Sequence, residues 1–251
     1  MSETETIQRL YGKHPVREAL RSKRPVYRLW LAQGLNPGMV REFEKLAKAR
    51  QVPVQIVPHK KLDQMLPGKP HQGLIAETGS IDYANWDLWL KQVSRKSQPF
   101  VVVLDQIQDP HNLGAIVRTA EAAGVHGVVI TRHHSVGISE VVAKASAGAI
   151  ETVPLVQVTN LAQALEALKV AGIWVMGLSA DQGQSHFQAN LTGGLALVIG
   201  NEHKGLRPNI EKHCDVLLNI PAETPRSLNA SVAAAVVMYE AVRQRQAARA
   251  K

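Results

Sequence analysis

The chain has 251 residues, 45% of them hydrophobic, and 29 Lys+Arg against 21 Asp+Glu give a formal net charge of +8. It contains no run of about 20 apolar residues, which excludes a membrane-spanning helix, and its single cysteine, Cys214, excludes an internal disulfide and a Cys-rich zinc site. The polar opening MSETETIQRLYG lacks the apolar stretch of a secretory signal, so the expected location is the cytoplasm.

The charge is unevenly placed. Residues 1–76 hold 14 Lys+Arg and 6 Asp+Glu, whereas residues 77–251 hold 15 of each. The whole excess lies in the first third, which suggests a basic module that meets a polyanion, most simply RNA, attached to a neutral one.

In residues 7–24, Val16, Ala19 and Leu20 are spaced for one helical face. Val26–Leu31 alternates as a strand, and Met39–Arg50 is an amphipathic helix with Val40, Phe43, Leu46 and Ala47 on one side. Val54–Val57 is a second strand, His59–Leu66 a helix stopped by Pro67-Gly68, and Leu74–Ala76 a closing strand. This is a small α/β unit over 1–76. Its few aromatics do not supply a stacking platform for single strands; recognition of folded RNA by backbone and shape fits better. Residues 77–98 are the expected linker, with Trp86 and Trp89 as packing anchors.

From Phe100 onward, buried strands alternate with helices. The strands are Val101–Leu104, Val128–Thr131, Val153–Val156, Ile173–Leu178, Leu195–Ile199 and Val216–Ile220; the helices are about 111–123, Val141–Ala147, Leu161–Ala171 and a last one after Asn229. The pattern predicts a parallel sheet over 99–251, with ligands beyond the strand C-terminal ends.

Three polar turns stand out in that half. In DQIQDPHNLGAIVRTAEAAG (105–124), Asn112 and Arg118 lie six residues apart, an offset of about 240° on one helix, so they need not face the same way. Arg118 sits among Ile116, Val117 and Ala120; taken alone it is an ion-pair partner for Asp105 or Glu121 as readily as a functional cation. The second turn, GNEHKG (200–205), follows a buried strand with spacing G-x-E-x-x-G, which is not the dinucleotide fingerprint. The third, IPAETPRSLNASVAA (220–234), offers Ser227 or Asn229 as the cap of the final helix.

Together these segments resemble the three motifs of the SpoU (TrmH) family of RNA ribose 2′-O-methyltransferases in the SPOUT superfamily. N-x-x-G-x-x-x-R-T-A (Asn112–Ala120), the strand with G-x-E-x-x-G, and S-L-N-x-S-V-A (Ser227–Ala233) match in order across roughly 150 residues. YGKHPVREAL (Tyr11–Leu20) and HQGLIA (His71–Ala76) are similar to the RNA-binding domain of the RlmB-type members, which act on 23S rRNA.

The resemblance implies an α/β fold whose parallel sheet ends in a C-terminal trefoil knot, and a homodimer. It implies S-adenosylmethionine as cofactor, no metal, and 2′-O-methylation of a guanosine in rRNA. Arg118, Asn112, Glu202, Ser227 and Asn229 would be the catalytic set. Gly200, Ile220, Leu228, Asn229, Leu178 and Gly205 would hold the cofactor. Arg118 would act either as a base or as a permanent cation holding a phosphate and the developing alkoxide. The segment 220–229 departs from the family pattern: Ala222 replaces a methionine, a glycine is missing, the loop is one residue shorter, and Pro225 and Glu223 are added. A tRNA methyltransferase, or a knotted RNA-binding protein that has lost catalysis, are the alternative readings.

Overall fold

The structure is a computed structural model that describes residues 8–22, 24–224 and 227–249. It divides into two compact units: the described residues through Asp82 together with Ile138–Thr152, and Tyr83–Gly137 together with Val153 onward.

The first unit is a four-stranded sheet of β1 (Gln8–Tyr11), β2 (Val26–Ala32), β3 (Val54–Val57) and β4 (Leu74–Thr78), in the order β1-β4-β2-β3. β4 is antiparallel to both neighbours and β2 is parallel to β3. Alternation along the strands sends side chains to two faces. Leu29, Leu31, Leu74 and Ala76 pack against α1 (Lys13–Arg21) and α2 (Pro37–Ala49). Trp30, Ala32 and Ile75 pack with Leu62 of α3 (His59–Met65) on the other face. β1 is the element that helical periodicity concealed. It gains its strand character only by pairing with β4.

The turn before β4 is fixed by His71, which is 3% exposed. The Gly73 amide donates to its Nδ1 at 3.0 Å, so Nε2 carries the proton and faces Asp63 Oδ1, also at 3.0 Å. Asp63 further meets Nδ1 of His59 at 3.1 Å. These three residues cluster as metal ligands do, but a proton on Nε2 makes His71 a hydrogen-bond latch.

Ile138–Thr152, which lies between two strands of the second unit, completes the first. It contains a short helix, Glu140–Ala145, and a 3₁₀ turn at Ala149–Glu151. Arg24 donates through Nη1 to Glu151 at 2.7 Å, with both side chains 3% exposed, and Ser22 Oγ reaches the other carboxylate oxygen. Gly148 has φ +98°, and a Cβ there would meet Glu18 Cγ at 2.7 Å, so only glycine fits.

The second unit is a parallel seven-stranded sheet. Its strands are β5 (Phe100–Leu104), β6 (Val128–Thr131), β7 (Leu155–Val158), β8 (Trp174–Leu178), β9 (Gln184–Ser185), β10 (Leu195–Ile199) and β11 (Val216–Asn219), in the order β7-β6-β5-β10-β8-β11-β9. The chain runs outward from β5 to β7, then returns so that β10 lies between β5 and β8. β5 and β10 are fully buried, as their unbroken apolar runs require.

The stretch expected as a linker contributes to this core. In α4 (Trp86–Val93), Trp89 and Val93 join the buried cluster, and Trp89 Nε1 donates to the His126 carbonyl at 3.0 Å. The remaining helices are α5 (Pro110–Ala122), α6 (the Glu140–Ala145 helix of the first unit), α7 (Leu161–Val170), α8 (Pro208–Glu211) and α9 (Ala230–Arg249). α9 packs along α5. Its end is held by buried Arg245, which donates to the carbonyls of Leu191, Pro99 and Gly193 and lies 4.5 Å from the Phe100 ring centroid.

Candidate active site

The first motif begins where β5 ends. Asp105 is fully buried and accepts from Arg207, through the backbone amide at 3.0 Å and Nε at 2.7 Å. This settles the partner of Asp105: it is Arg207 and not Arg118. Gln106 follows with φ +62°, a left-handed conformation that costs a non-glycine residue about 1 kcal/mol or more. Asp109 caps α5, and Pro110 occupies its first turn without forfeiting a hydrogen bond. Asn112 is buried within the first turn and donates through Nδ2 to Glu202 Oε1 at 3.0 Å. Arg118 is exposed, and no hydrogen bond or ion pair engages its guanidinium among the described residues. The two residues therefore point in different directions from one helix.

The second motif leaves β10 as a closed turn. Asn201 and Gly205 exchange both backbone hydrogen bonds at 2.9 Å. Asn201 Oδ1 accepts from the amides of His203 and Lys204, and its Nδ2 donates to the Gln106 carbonyl at 2.9 Å and Glu202 Oε2 at 3.2 Å. A Cβ on Gly200 would overlap backbone atoms of Gly205 and Leu206, so the turn closes only with glycine there. Gly205 has φ +64° and open space beside it, so its requirement is conformational. Asn201 thus holds Glu202 from within the turn, and the Asp105–Arg207 pair pins the chain just after the turn. Their signal in sequence was adjacency to the motif, which alone did not distinguish them.

The third motif follows β11. Leu178 and Leu218 are paired in register on β8 and β11, so Leu178 and Ile220 lie at neighbouring strand ends. Asn219 Oδ1 is buried without a hydrogen-bond partner. Ser227, Leu228 and Asn229 are exposed at the start of α9. Of the two expected candidates the helix cap is Asn229, whose Oδ1 accepts from the Ser231 amide at 2.9 Å. Asn229 is the residue adjacent to the first helical turn, which is where capping geometry is met. Pro225 of the altered loop lies outside the described residues, whereas Ala222 and Glu223 are exposed.

The sheet therefore gathers the ends of the first two motifs by direct hydrogen bonds and brings the third alongside through β11 and the packing of α9 on α5. Residues 99–239 match the SpoU rRNA Methylase family, and residues 9–84 match RNA 2′-O ribose methyltransferase substrate binding. The chain belongs to the SpoU methylase family. A Bacillus subtilis protein named as a TrmH family tRNA/rRNA methyltransferase, YacO, is 46% identical over 236 residues, covering 93% of this chain and 94% of that one. The structure of the SpoU methyltransferase AviRb from Streptomyces viridochromogenes, in complex with AdoMet, has a TM-score of 0.79 and 25% identity over 96% of this chain and 91% of that one. A structure concerned with 2′-OH methylation of C/U34 on tRNA is 32% identical with a TM-score of 0.55, and spans 60% of this chain but 98% of its own. The α/β fold expected from sequence, a parallel-sheet methyltransferase unit with a separate N-terminal one, is the fold of this family.

Proposed function

We propose that the protein transfers a methyl group from S-adenosylmethionine to a ribose 2′-hydroxyl, that of a guanosine in 23S rRNA. The observation that carries this reading is the bond from Asn112 to Glu202, which joins the first two family motifs beyond the ends of β5 and β10. The comparison with AviRb supports the cofactor. The match of 9–84 to a substrate-binding unit favours a large structured RNA, and the tRNA-related structure spans only 60% of this chain. The exposed Lys45, Lys48, Lys60, Lys61 and Lys69 of that unit suit a polyanion.

The residues present fit the cofactor. Its amino and hydroxyl groups are donors, and Asn219 Oδ1 is an acceptor with no partner. No backbone hydrogen bond engages Ile220 or Leu228 among the described residues, so these groups remain free to bind it; Leu178, Gly200, Gly205 and Asn229 complete the proposed set, Gly205 through the open space beside it because its amide is bonded to Asn201. When bound, S-adenosylmethionine supplies an electrophilic methyl group.

The ribose oxygen would form a bond to that methyl as the carbon–sulfur bond breaks and the sulfonium leaves as a neutral thioether, and the hydroxyl proton would pass to water. Arg118 is assigned the role of permanent cation, holding a phosphate and stabilising the oxygen as the proton leaves, because a guanidinium is not a practical base. Asn112 and Glu202 orient the ribose, with Ser227 and Asn229 completing the set. We assign the protein a homodimeric state, with the exposed Val232 and Tyr239 of α9 in the contact, and a trefoil knot at the β10–β11 crossing. Its location is the cytoplasm; among the described residues no helix is long and apolar enough to cross a membrane.

Mapping 2′-O-methyl positions in rRNA from cells with and without the gene tests the reading. Loss of one guanosine methylation in 23S rRNA is expected; an unchanged 23S map with a lost tRNA methylation would instead establish the tRNA reading.

A further inference from the structure

A cleft of about 300 Å³ opens beyond the C-terminal ends of β5, β6 and β7, on the opposite side of β5 from the expected cofactor site. Its walls include Arg207, His133, His134 and Thr159, and the start of α7 at Leu161 and Ala162 lies behind them. No Asp or Glu lines it among the described residues.

The orientation of Arg207 is fixed from behind. Nε and one Nη bind Asp105 at 2.7 Å, with the carboxylate fully buried and the arginine side chain 42% exposed. The pair is therefore a dipole whose positive end faces the cleft. The second terminal nitrogen donates to nothing among the described residues, leaving N–H groups in a fixed fork. The cleft also has backbone strain on its rim: Gln106 and His134 both have φ +62°. Such strain persists where surrounding contacts hold it, and the Gln106 carbonyl is held by Asn201. A rigid arginine fork, two imidazoles and no carboxylate suit an anion with several acceptor oxygens.

We propose that this cleft receives a backbone phosphate of the substrate RNA, with Arg207 as its anchoring cation. The inference rests on the reading of the protein as an RNA methyltransferase and adds a second point of grip beyond the basic N-terminal unit. Because Asn201 links Gln106 at the cleft to Glu202, a phosphate held here would fix the register of the strand relative to the Asn112–Glu202 pair.

The test uses the full-length protein and a 23S rRNA transcript. Arg207→Ala is a poor probe, because it leaves Asp105 buried without a cation. Thr159→Glu adds a carboxylate at the cleft and leaves the pair intact; the double variant His133→Ala with His134→Ala removes two imidazoles. Each is expected to raise KM for the transcript roughly tenfold, with kcat and S-adenosylmethionine affinity within about twofold of wild type. Thr159→Glu should also make the slope of log K against log salt shallower by about 0.7–0.9, one phosphate contact. Unchanged KM and salt slope in both variants overturn the phosphate site and leave the methyltransferase reading standing. A wild-type protein that neither binds nor methylates the transcript defeats that reading, and the site with it.

Discussion

Nδ2 of Asn112 donates to Oε1 of Glu202 at 3.0 Å, joining residues 90 positions apart in the chain. Glu202 is also held through Oε2 by Asn201, so losing one bond leaves the carboxylate only partly positioned. Asn112→Ala should lower kcat by up to about 10²-fold and stability by about 1 kcal/mol. Steady-state kinetics beside thermal melts check this; an unchanged kcat would reduce the bond to a structural tie.

Arg118 is exposed and unpaired among the described residues, so its removal disturbs no internal contact. Arg118→Ala should cut methyl transfer by about 10²–10³-fold while leaving the fold and S-adenosylmethionine binding nearly intact. Arg118→Lys, which keeps the charge, should retain part of the activity. Calorimetric cofactor titration and single-turnover assays separate the outcomes, and full turnover by the alanine variant would remove Arg118 from the mechanism.

Gly200 has no room for a methyl group against the backbone of Gly205 and Leu206. Gly200→Ala should destabilise the second unit by about 1–3 kcal/mol and weaken cofactor binding, because the turn that carries Glu202 must shift. A melting temperature equal to wild type would show that the turn relaxes freely.

The first unit requires Ile138–Thr152. Glu151→Ala leaves Arg24 buried without its carboxylate and should cost about 3–5 kcal/mol in urea unfolding. A fragment beginning at residue 83 would expose Val142, Ala143, Ala149 and Ile150, which are buried in the first unit. That fragment should aggregate unless 138–152 is replaced by a short polar link; with the link it should lose RNA selectivity and show a flatter salt dependence. A soluble monodisperse fragment that retains 138–152 would contradict the packing argument.

Glu240 is held by Arg243 at 2.7–2.8 Å and by Gln244, and the arginine hydrogen bonds pull its carboxyl down to about 2. A depressed folded pKa means that the stabilisation is present above the unfolded value near 4.5 and is lost as pH falls toward about 2. Glu240→Gln should remove roughly 1–2 kcal/mol at neutral pH, an amount reduced by the exposure of Arg243, and flatten the stability profile over that acid window. Parallel profiles for the two proteins would assign the acid sensitivity elsewhere.

Sequence pattern alone located β3, β6 and β10 to the residue: β6 and β10 are short buried runs, and β3 is a β-branched stretch between Pro53 and Pro58. It also placed α5 and α7 within a residue or two. The two-residue β9 and the four-residue α8 lacked enough residues to show a period. Charge asymmetry marked the basic unit but overcounted its free cations: Arg24 is buried on Glu151, Arg17 pairs with Glu42, and Arg50 donates to three backbone carbonyls.

By itself the sequence determined the family, through three motifs whose order and residue types survive in linear form, and it marked most of the strands, because apolar burial is a local pattern; it missed β1 and β9 and set β7 two residues early. Only the tertiary structure decided that Asn112 binds Glu202, that Asp105 serves Arg207, and that Asn229, of the two candidates, caps α9. It alone assigned 138–152 to the first unit. Those facts depend on hydrogen bonds and packing between residues tens of positions apart. Periodicity records which face of an element is buried; it carries no information about which distant side chain meets it there.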